Sequence, residues 1–278
     1  MRRKLFCVGC GVVLLVGLLA LPGTVLAAGE TLVMATTTST DNTGLLDYLA
    51  PHFTKATGIE LRWTAVGTGK ALKLGENCDV DVLLVHAPGA EKAYVEAGHG
   101  VDRREVMFND FVLIGPAADP AGIKGKSVSD ALAAVEAKGA VFASRGDNSG
   151  THKKELTLWK AAGKSAPDKA KWYIQTGQGM LSTINVAAER GGYTMTDRGT
   201  YIKYEDTQGG NPPLKILVEG DAVLKNQYSV LAINPKKCEK AQYALARKLS
   251  DWLAGAEAQK LIGDFKLLGK QLFKPNAN

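Results

Sequence analysis

The stretch TLVMATTTSTDNTGLLDYLAPHFTKATGIELRWTAV, residues 31–66, decides the fold. Thr31 to Ala35 is a short apolar run that reads as a buried strand. From Leu45 to Thr57 the apolar residues recur at helical spacing, and Gly58 supplies the stop. Ile59 to Val66 is a second strand. A strand, a helix and a strand in this order imply parallel strands joined by a crossover helix. The alternation continues. Lys70 to Leu74 begins a short helix, Val80 to Val85 is a third strand, and Ala90 to Ala97 is a third helix. Val106 to Ile114 is a strand that ends at Gly115-Pro116. Helices are expected at Val128–Lys138, Thr151–Ala162 and Gly179–Gly191, with strands at Ala140–Ala143, Tyr173 and Tyr193 between them. Strands follow at Leu214–Glu219 and Tyr228–Ile233, and Cys238 to Leu261 closes the chain as one helical region. The class is α/β.

Residues 1–28 read as a cleavable export signal. Arg2, Arg3 and Lys4 precede an apolar run from Val8 to Leu21, Pro22-Gly23 breaks it, and small residues at 25–28 offer cleavage sites. The run is short for a membrane span. Cys10 stands before most of the apolar run, where no lipid-bearing cysteine is expected, so the mature chain reads as soluble and periplasmic, without a lipid anchor; a monomer is expected. The full chain carries +6, and loss of the three basic signal residues leaves 31 basic against 28 acidic, or +3. No Lys/Arg cluster stands beside aromatics, which argues against a nucleic-acid partner. Of the four cysteines, Cys7 and Cys10 lie in the signal; Cys78 and Cys238 remain. In an oxidising compartment this pair is a disulfide candidate. No His or Asp stands at ligand spacing around them, so neither a zinc site nor a cofactor is expected. The acidic segment Asp79-Val80-Asp81 reads as a strand cap.

Chemistry concentrates at three strand-to-helix turns: Ala35-Thr36-Thr37-Thr38-Ser39-Thr40, Val66-Gly67-Thr68-Gly69-Lys70, and Ser144-Arg145-Gly146-Asp147-Asn148-Ser149-Gly150-Thr151. A helix N-terminus offers unpaired N–H groups and partial positive charge, and so attracts anions. Ser and Thr add uncharged donors, and Arg145 adds a permanently charged planar fork. In α/β sheets ligands bind beyond the carboxyl ends of the strands, where these turns lie. Each turn also has a plainer reading: Ser and Thr are ordinary helix caps, and Arg145 can pair with Asp147 at the surface. The second turn is not a Walker loop, since Thr64 and Ala71 occupy the positions that require Gly and Ser/Thr. Ser149, between Asn148 and Gly150, is not the centre of a nucleophile elbow. His152 reads as a first-turn helix residue facing solvent, and Asp197-Arg198 as a structural ion pair or a contact at the lip of a cleft.

These turns, with Asp79-Val80-Asp81-Val82-Leu83-Leu84-Val85-His86-Ala87 and Tyr193-Thr194-Met195-Thr196-Asp197-Arg198-Gly199-Thr200, resemble those of the tungstate-binding proteins of ABC importers over about residues 31–250. The resemblance implies a type II periplasmic-binding-protein fold, with two α/β lobes and a ligand cleft between them. Its lobes would be 29–115 with 227–278, and 116–226. It implies no enzyme activity, tungstate or molybdate as ligand, and a membrane permease with its cytoplasmic ATPase as partner. By matching position the oxyanion would be held by Thr37, Thr38, Ser39, Thr68, Ser144, Arg145, Ser149 and Thr151. The third turn also matches the spacing of the phosphate-binding proteins' loop, so phosphate or sulfate stays an alternative ligand. A hydrolase using Ser149 is the alternative from another class.

Overall fold

The computed structural model describes residues 29–277; the export signal expected at 1–28 lies outside them. The elements run β1 (Thr31–Thr37), α1 (Thr38–Asp41), α2 (Leu45–Thr57), β2 (Glu60–Val66), α3 (Thr68–Glu76), β3 (Val82–Val85), α4 (Pro88–Glu96), β4 (Gly100–Pro116), α5 (Val128–Lys138) and β5 (Phe142–Ser144). They continue with α6 (Gly150–Ala161), β6 (Tyr173–Gln175), α7 (Met180–Glu189), β7 (Tyr193–Asp197), α8 (Arg198–Thr207), β8 (Leu214–Val218), β9 (Lys225–Ile233), α9 (Tyr243–Ala254) and α10 (Ala256–Asp264). Three two-residue strands, β10 (Lys266–Leu267), β11 (Lys270–Gln271) and β12 (Lys274–Pro275), complete the described chain. No helix among the described residues is long and apolar enough to cross a membrane.

β1 pairs in parallel with β2 and β3, as the opening strand–helix–strand pattern requires. β5 pairs in parallel with β6 and β7 to form the second parallel unit. The two units share β4. Residues Gly100 to Asp110 of β4 pair antiparallel with β9, whereas Phe111 to Ile114 pair with β7 and Leu113 to Pro116 with β8. One strand therefore passes from the first lobe to the second between Asp110 and Phe111. The return crossing lies before Lys225, which pairs with Asp110. Phe111–Gly115 belong to the second half-sheet, and Lys225 and Asn226 to the first.

Side chains alternate across each half-sheet because successive strand residues face opposite ways. Leu32, Met34, Val82 and Leu84 pack under α2 and α9, while Ala35, Leu83 and Val85 pack on the other face with Leu231 and Ile233. In the second lobe Phe111 and Leu113 face Trp159 and Val135, and Val112 and Ile114 face Ile184 and Tyr201. The helical region expected from Cys238 begins at Tyr243 instead, and it breaks at Gly255, the C-cap of α9 and N-cap of α10. Helix α8 has no counterpart in the sequence reading. Asp81 joins strand edges: its carboxylate accepts from Val33 N–H and Gln242 N–H, each at 2.9 Å.

Because β3 and β9 are antiparallel neighbours, the residues before β3 and after β9 lie at one end of the sheet. There Cys78 and Cys238 are joined by a disulfide, Cα–Cα 5.5 Å, across a sequence separation of 160. Cross-linking so long a loop restricts the unfolded chain strongly. Replacing both cysteines with serine should lower the unfolding free energy by about 2–5 kcal/mol. Denaturant unfolding of the oxidised protein and the double variant measures this, and two free thiols in the non-reduced protein would remove the basis for it.

In the second lobe α6 buries Glu155, whose Oε1 accepts from Tyr173 Oη at 2.6 Å and Trp159 Nε1 at 3.2 Å. Burial pushes its carboxyl up to about 7, only partly offset by hydrogen bonds from Tyr173, Ser144 and Trp159. The folded state therefore holds the proton more readily than the unfolded chain, where the ordinary value is 4.5. The stabilising contribution is complete below that value and is lost as pH rises through about 7, on the order of 3 kcal/mol in all. Glu155→Gln keeps the shape without the charge. Its stability relative to wild type should improve steadily as pH is raised from about 4.5 to about 7. A constant difference across that range, in denaturant unfolding at several pH values, would exclude the buried charge as the cause.

Candidate functional site

Each of the three turns lies beyond the carboxyl end of a strand and opens a helix, and the fold brings all three to one cleft between the lobes. A cavity of about 370 Å³ there is lined by Thr37–Ser39, Val66–Lys70, His86, Arg145 and Asp147–Thr151. A second hollow of about 400 Å³ adjoins it, sharing Thr38, Ser39 and Arg145 and reaching Gly179, Asp197 and Lys203.

The first turn follows β1. Thr37 is the N-cap of α1 and its Oγ1 accepts from Thr40 N–H at 3.3 Å. Its side chain is almost wholly covered, while Thr38 is exposed and Ser39 half-exposed at the cleft. The second turn opens α3 with Gly67 as N-cap and no side chain on the end N–H groups. These amides are free to donate to an anion. Thr68 is buried and Lys70 exposed.

The third turn is held by its own side chains. Ser149 caps α6, accepting from His152 N–H at 3.3 Å. Asp147 Oδ1 accepts from Ser149 N–H at 3.1 Å, and Oδ2 pairs with Arg145 Nη2. Arg145 Nε donates to the Gln178 carbonyl at 3.3 Å. Gly146 has φ +59, and a Cβ there would come within 2.7 Å of Gln175, so only glycine fits. For Asp147, burial alone would raise the pKa, but the Ser149 hydrogen bonds and the Arg145 charge outweigh it and hold the carboxyl below its ordinary value. Asp147 is thus ionised, with each oxygen already accepting a bond.

Seven of the eight residues expected to hold the ligand line the cavity: Thr37, Thr38, Ser39, Thr68, Arg145, Ser149 and Thr151. Ser144 does not. It is fully buried, its Oγ accepts from Gly146 N–H at 3.3 Å, and it sits beside Glu155 and Tyr173. Its place at the end of β5 points it into the core. His152 is not solvent-facing either: it is 8% exposed and its Nδ1 accepts from Asn148 N–H at 3.0 Å. Asp197 and Arg198 do not pair with each other. Asp197 caps α8 by accepting from Thr200, while Arg198 binds Asp110 and Glu219.

His86 is a lining residue to which the sequence reading assigned no role. It ends β3 as the three turns end their strands, and that position is the signal that marks it. The lobes meet close to it. A Cβ on Gly150 of the second lobe would lie 3.3 Å from Thr68 Oγ1 and 3.7 Å from His86 Cε1 of the first. Lys203 of α8 donates to the Asn42 carbonyl across the same opening.

Comparisons with known proteins agree with this architecture. Residues 24–257 match the model of a PBP superfamily domain. The chain is 51% identical over 235 residues to the tungstate-binding protein TupA of Campylobacter jejuni, covering 84% of this chain and 87% of that one. Among solved structures, the tungstate-binding protein TupA of Desulfovibrio alaskensis is 69% identical with TM-score 0.85, the match covering 90% of this chain and 100% of that one. A structure described as the tungstate ABC transporter from Geobacter sulfurreducens is 50% identical, with TM-score 0.75 over 85% of this chain and 99% of that one. The two-lobed fold, the cleft at the strand ends and these likenesses together place the chain in the PBP superfamily, as a member of the TupA family of tungstate-binding proteins.

Proposed function

We propose that this chain is the periplasmic solute-binding component of an ABC importer and that it captures tungstate, with molybdate as a second ion of the same shape. The observation that carries this is the donor-rich, acceptor-poor cleft. Hydroxyls of Thr38, Ser39 and Thr151, the end N–H groups of α3 and α6, and the guanidinium of Arg145 all donate. The carboxylate in the lining, Asp147, is ionised and already accepts from Ser149 and Arg145. Tungstate and molybdate are fully deprotonated dianions at neutral pH and can only accept. Hydrogen phosphate carries a proton that needs an acceptor, and the Asp147 carboxylate is already committed on each oxygen to holding the turn, through Arg145 and Ser149. The preference for tungstate over molybdate rests on the names of the relatives. The Ser149 hydroxyl is engaged as a helix cap and His152 Nδ1 is engaged by Asn148, so Ser149 and His152 do not form a nucleophile–base pair; the cleft's role is retention of an ion. Delivery would be to a membrane permease driven by a cytoplasmic ATPase, by a monomer whose residues 1–28 are removed on export.

Arg145 should be the most costly side chain to lose. Its charge-assisted bonds in a cleft with little water outweigh neutral hydroxyl contacts, and Arg145→Ala also leaves the Asp147 carboxylate facing a dianion. Calorimetric titration with tungstate should show a loss of about 2–5 kcal/mol. Arg145→Lys should recover part of it, because a point charge does not reproduce the fork, and Thr151→Ala should cost about 1–3 kcal/mol. Binding by folded Arg145→Ala within about threefold of wild type would remove the third turn from the site. Titration of wild type with tungstate, molybdate, sulfate and phosphate tests the ligand itself.

Ligand should also draw the lobes together, since one small ion must satisfy Ser39 and Thr68 from one lobe and Arg145 and Thr151 from the other. The radius of gyration should fall and the melting temperature should climb with tungstate concentration. A scattering profile and melting curve indifferent to saturating tungstate would contradict ion-driven closure.

A further inference from the structure

His86 lies between the Thr37–Ser39 turn and the strand ladder that joins the lobes. Its Nε2 is 2.9 Å from Thr37 Oγ1 and 3.1 Å from Ser39 Oγ. Its Nδ1 is 3.0 Å from Asn226 Oδ1, and its ring stacks on Tyr228 with centroids 4.7 Å apart. Asn226 stands in β9 opposite Asn109 of β4. Its Nδ2 donates to Asn109 Oδ1 at 2.7 Å and to Tyr228 Oη at 3.4 Å. That leaves the Asn226 carbonyl to face the ring, so Nδ1 carries the proton. Burial lowers the His86 pKa, against the weaker opposing effects of the Asn226 bond and the Asp197 charge, and the ring is neutral. A neutral imidazole with its proton on Nδ1 has only an acceptor at Nε2.

Counting protons then sorts the two hydroxyls. Nε2 has one lone pair, and Thr37 is the nearer donor. Thr37 Oγ1 is in turn approached by Thr40 N–H at 3.3 Å and Thr40 Oγ1 at 2.7 Å. Both Nε2 and the Thr37 oxygen are therefore occupied, and the Ser39 proton has no acceptor left on either. Its open direction is the cleft that Ser39 lines.

We propose that His86 is a positioning residue of the anion site: held by Asn226 with its proton on Nδ1, it takes the Thr37 hydroxyl proton on Nε2 and so aims the Ser39 O–H at the bound oxyanion. This deepens the tungstate reading above and rests on it. Without the Nε2 acceptor the hydroxyls of Thr37 and Ser39 can bond one another, and Ser39 then presents a lone pair as readily as a proton. An ion that only accepts suffers most from that change, and one that carries its own proton suffers less. His86 thus contributes to the discrimination between fully deprotonated dianions and hydrogen phosphate. The opposite amide arrangement has one point in its favour: Asn109 Nδ2 is buried without a partner. Turning both Asn109 and Asn226 over would satisfy it, and would move the His86 proton to Nε2.

The tautomer is measured directly by nitrogen NMR on the histidine-labelled protein, with its four histidines assigned through variants of the other three. The proposal expects Nδ1 protonated and Nε2 as a hydrogen-bonded acceptor, with and without tungstate. A proton on Nε2 overturns it. Calorimetry supplies the functional arm. His86→Phe keeps the stack on Tyr228 and should weaken tungstate binding by about tenfold or more, with a smaller loss for phosphate. His86→Gln, which restores an acceptor, should recover part of the affinity. An affinity of folded His86→Phe within about threefold of wild type, or equal losses for both ions, also overturns the proposal. If His86→Phe does not fold, the wild-type tautomer still decides. Failure of the wild type to bind tungstate would instead sink the function proposed above, and the tautomer measurement would tell the two failures apart.

Discussion

The ladder between β4 and β9 carries both lobes. β4 leaves the first lobe at Asp110 and β9 re-enters it at Lys225, and these two residues are paired. Any relative motion of the lobes must turn about this pair of strands, whose spacing the backbone hydrogen bonds hold. Arg198, at the start of α8, binds Asp110 with Nε and Nη2 at 2.6 Å each and Glu219 at 2.8 Å. It therefore joins the end of the first-lobe part of β4 to the end of β8, close to both crossings. The two carboxylates hold its guanidinium pKa above the ordinary value, with burial opposing. A bidentate, partly buried pair of this kind outweighs an isolated surface contact.

What the ladder positions is a set of helix ends. α1, α3 and α6 all begin at the carboxyl ends of their strands, and closing two half-sheets on one hinge brings these ends face to face. The donors are mostly uncharged, so under the proposed function a dianion would exchange its water for dipoles and one guanidinium, without a cluster of lysines. The same turns are stiffened from behind. Asp147 spans Arg145 and Ser149, and Glu155, further along α6 from the Ser149 cap, is bonded to Tyr173. The anion loop is thus supported by a hydrogen-bonded network in the second-lobe core, where an unpaired polar group would be costly.

The parallel strands and most of the helices were legible because hydrophobic periodicity is a local property. The three turns were legible for a related reason: Thr37–Ser39, Gly67–Lys70 and Arg145–Thr151 each carry their donors within a few consecutive residues. The placement of Ser144 in the core was not legible because strand alternation, which decides whether the last residue of β5 faces the cleft or the core, depends on how β5 is set against its neighbours. Helix α8 escaped notice because its polar run Arg-Gly-Thr-Tyr shows little apolar periodicity, and its burial comes from Tyr201 and Tyr204 packing against β4 and β8. His86 escaped notice because its partners lie 47 to 140 positions away.

By itself the sequence determined the α/β class, the alternation of strands and helices, and the donor-rich character of the three turns of the candidate site. Each follows from residues close together in the chain, through side-chain periodicity, helix capping and the charge of a single arginine. Only the tertiary structure decided that the three turns share one cleft, that β4 changes lobe at Asp110, and that Arg198 binds Asp110 in preference to its neighbour Asp197. It also decided that His86 stands between Thr37 and Asn226. The physical reason is that these facts depend on strand register and on which elements pack side by side. Both are settled by burying apolar surface across the whole molecule, and no local stretch of sequence contains that information.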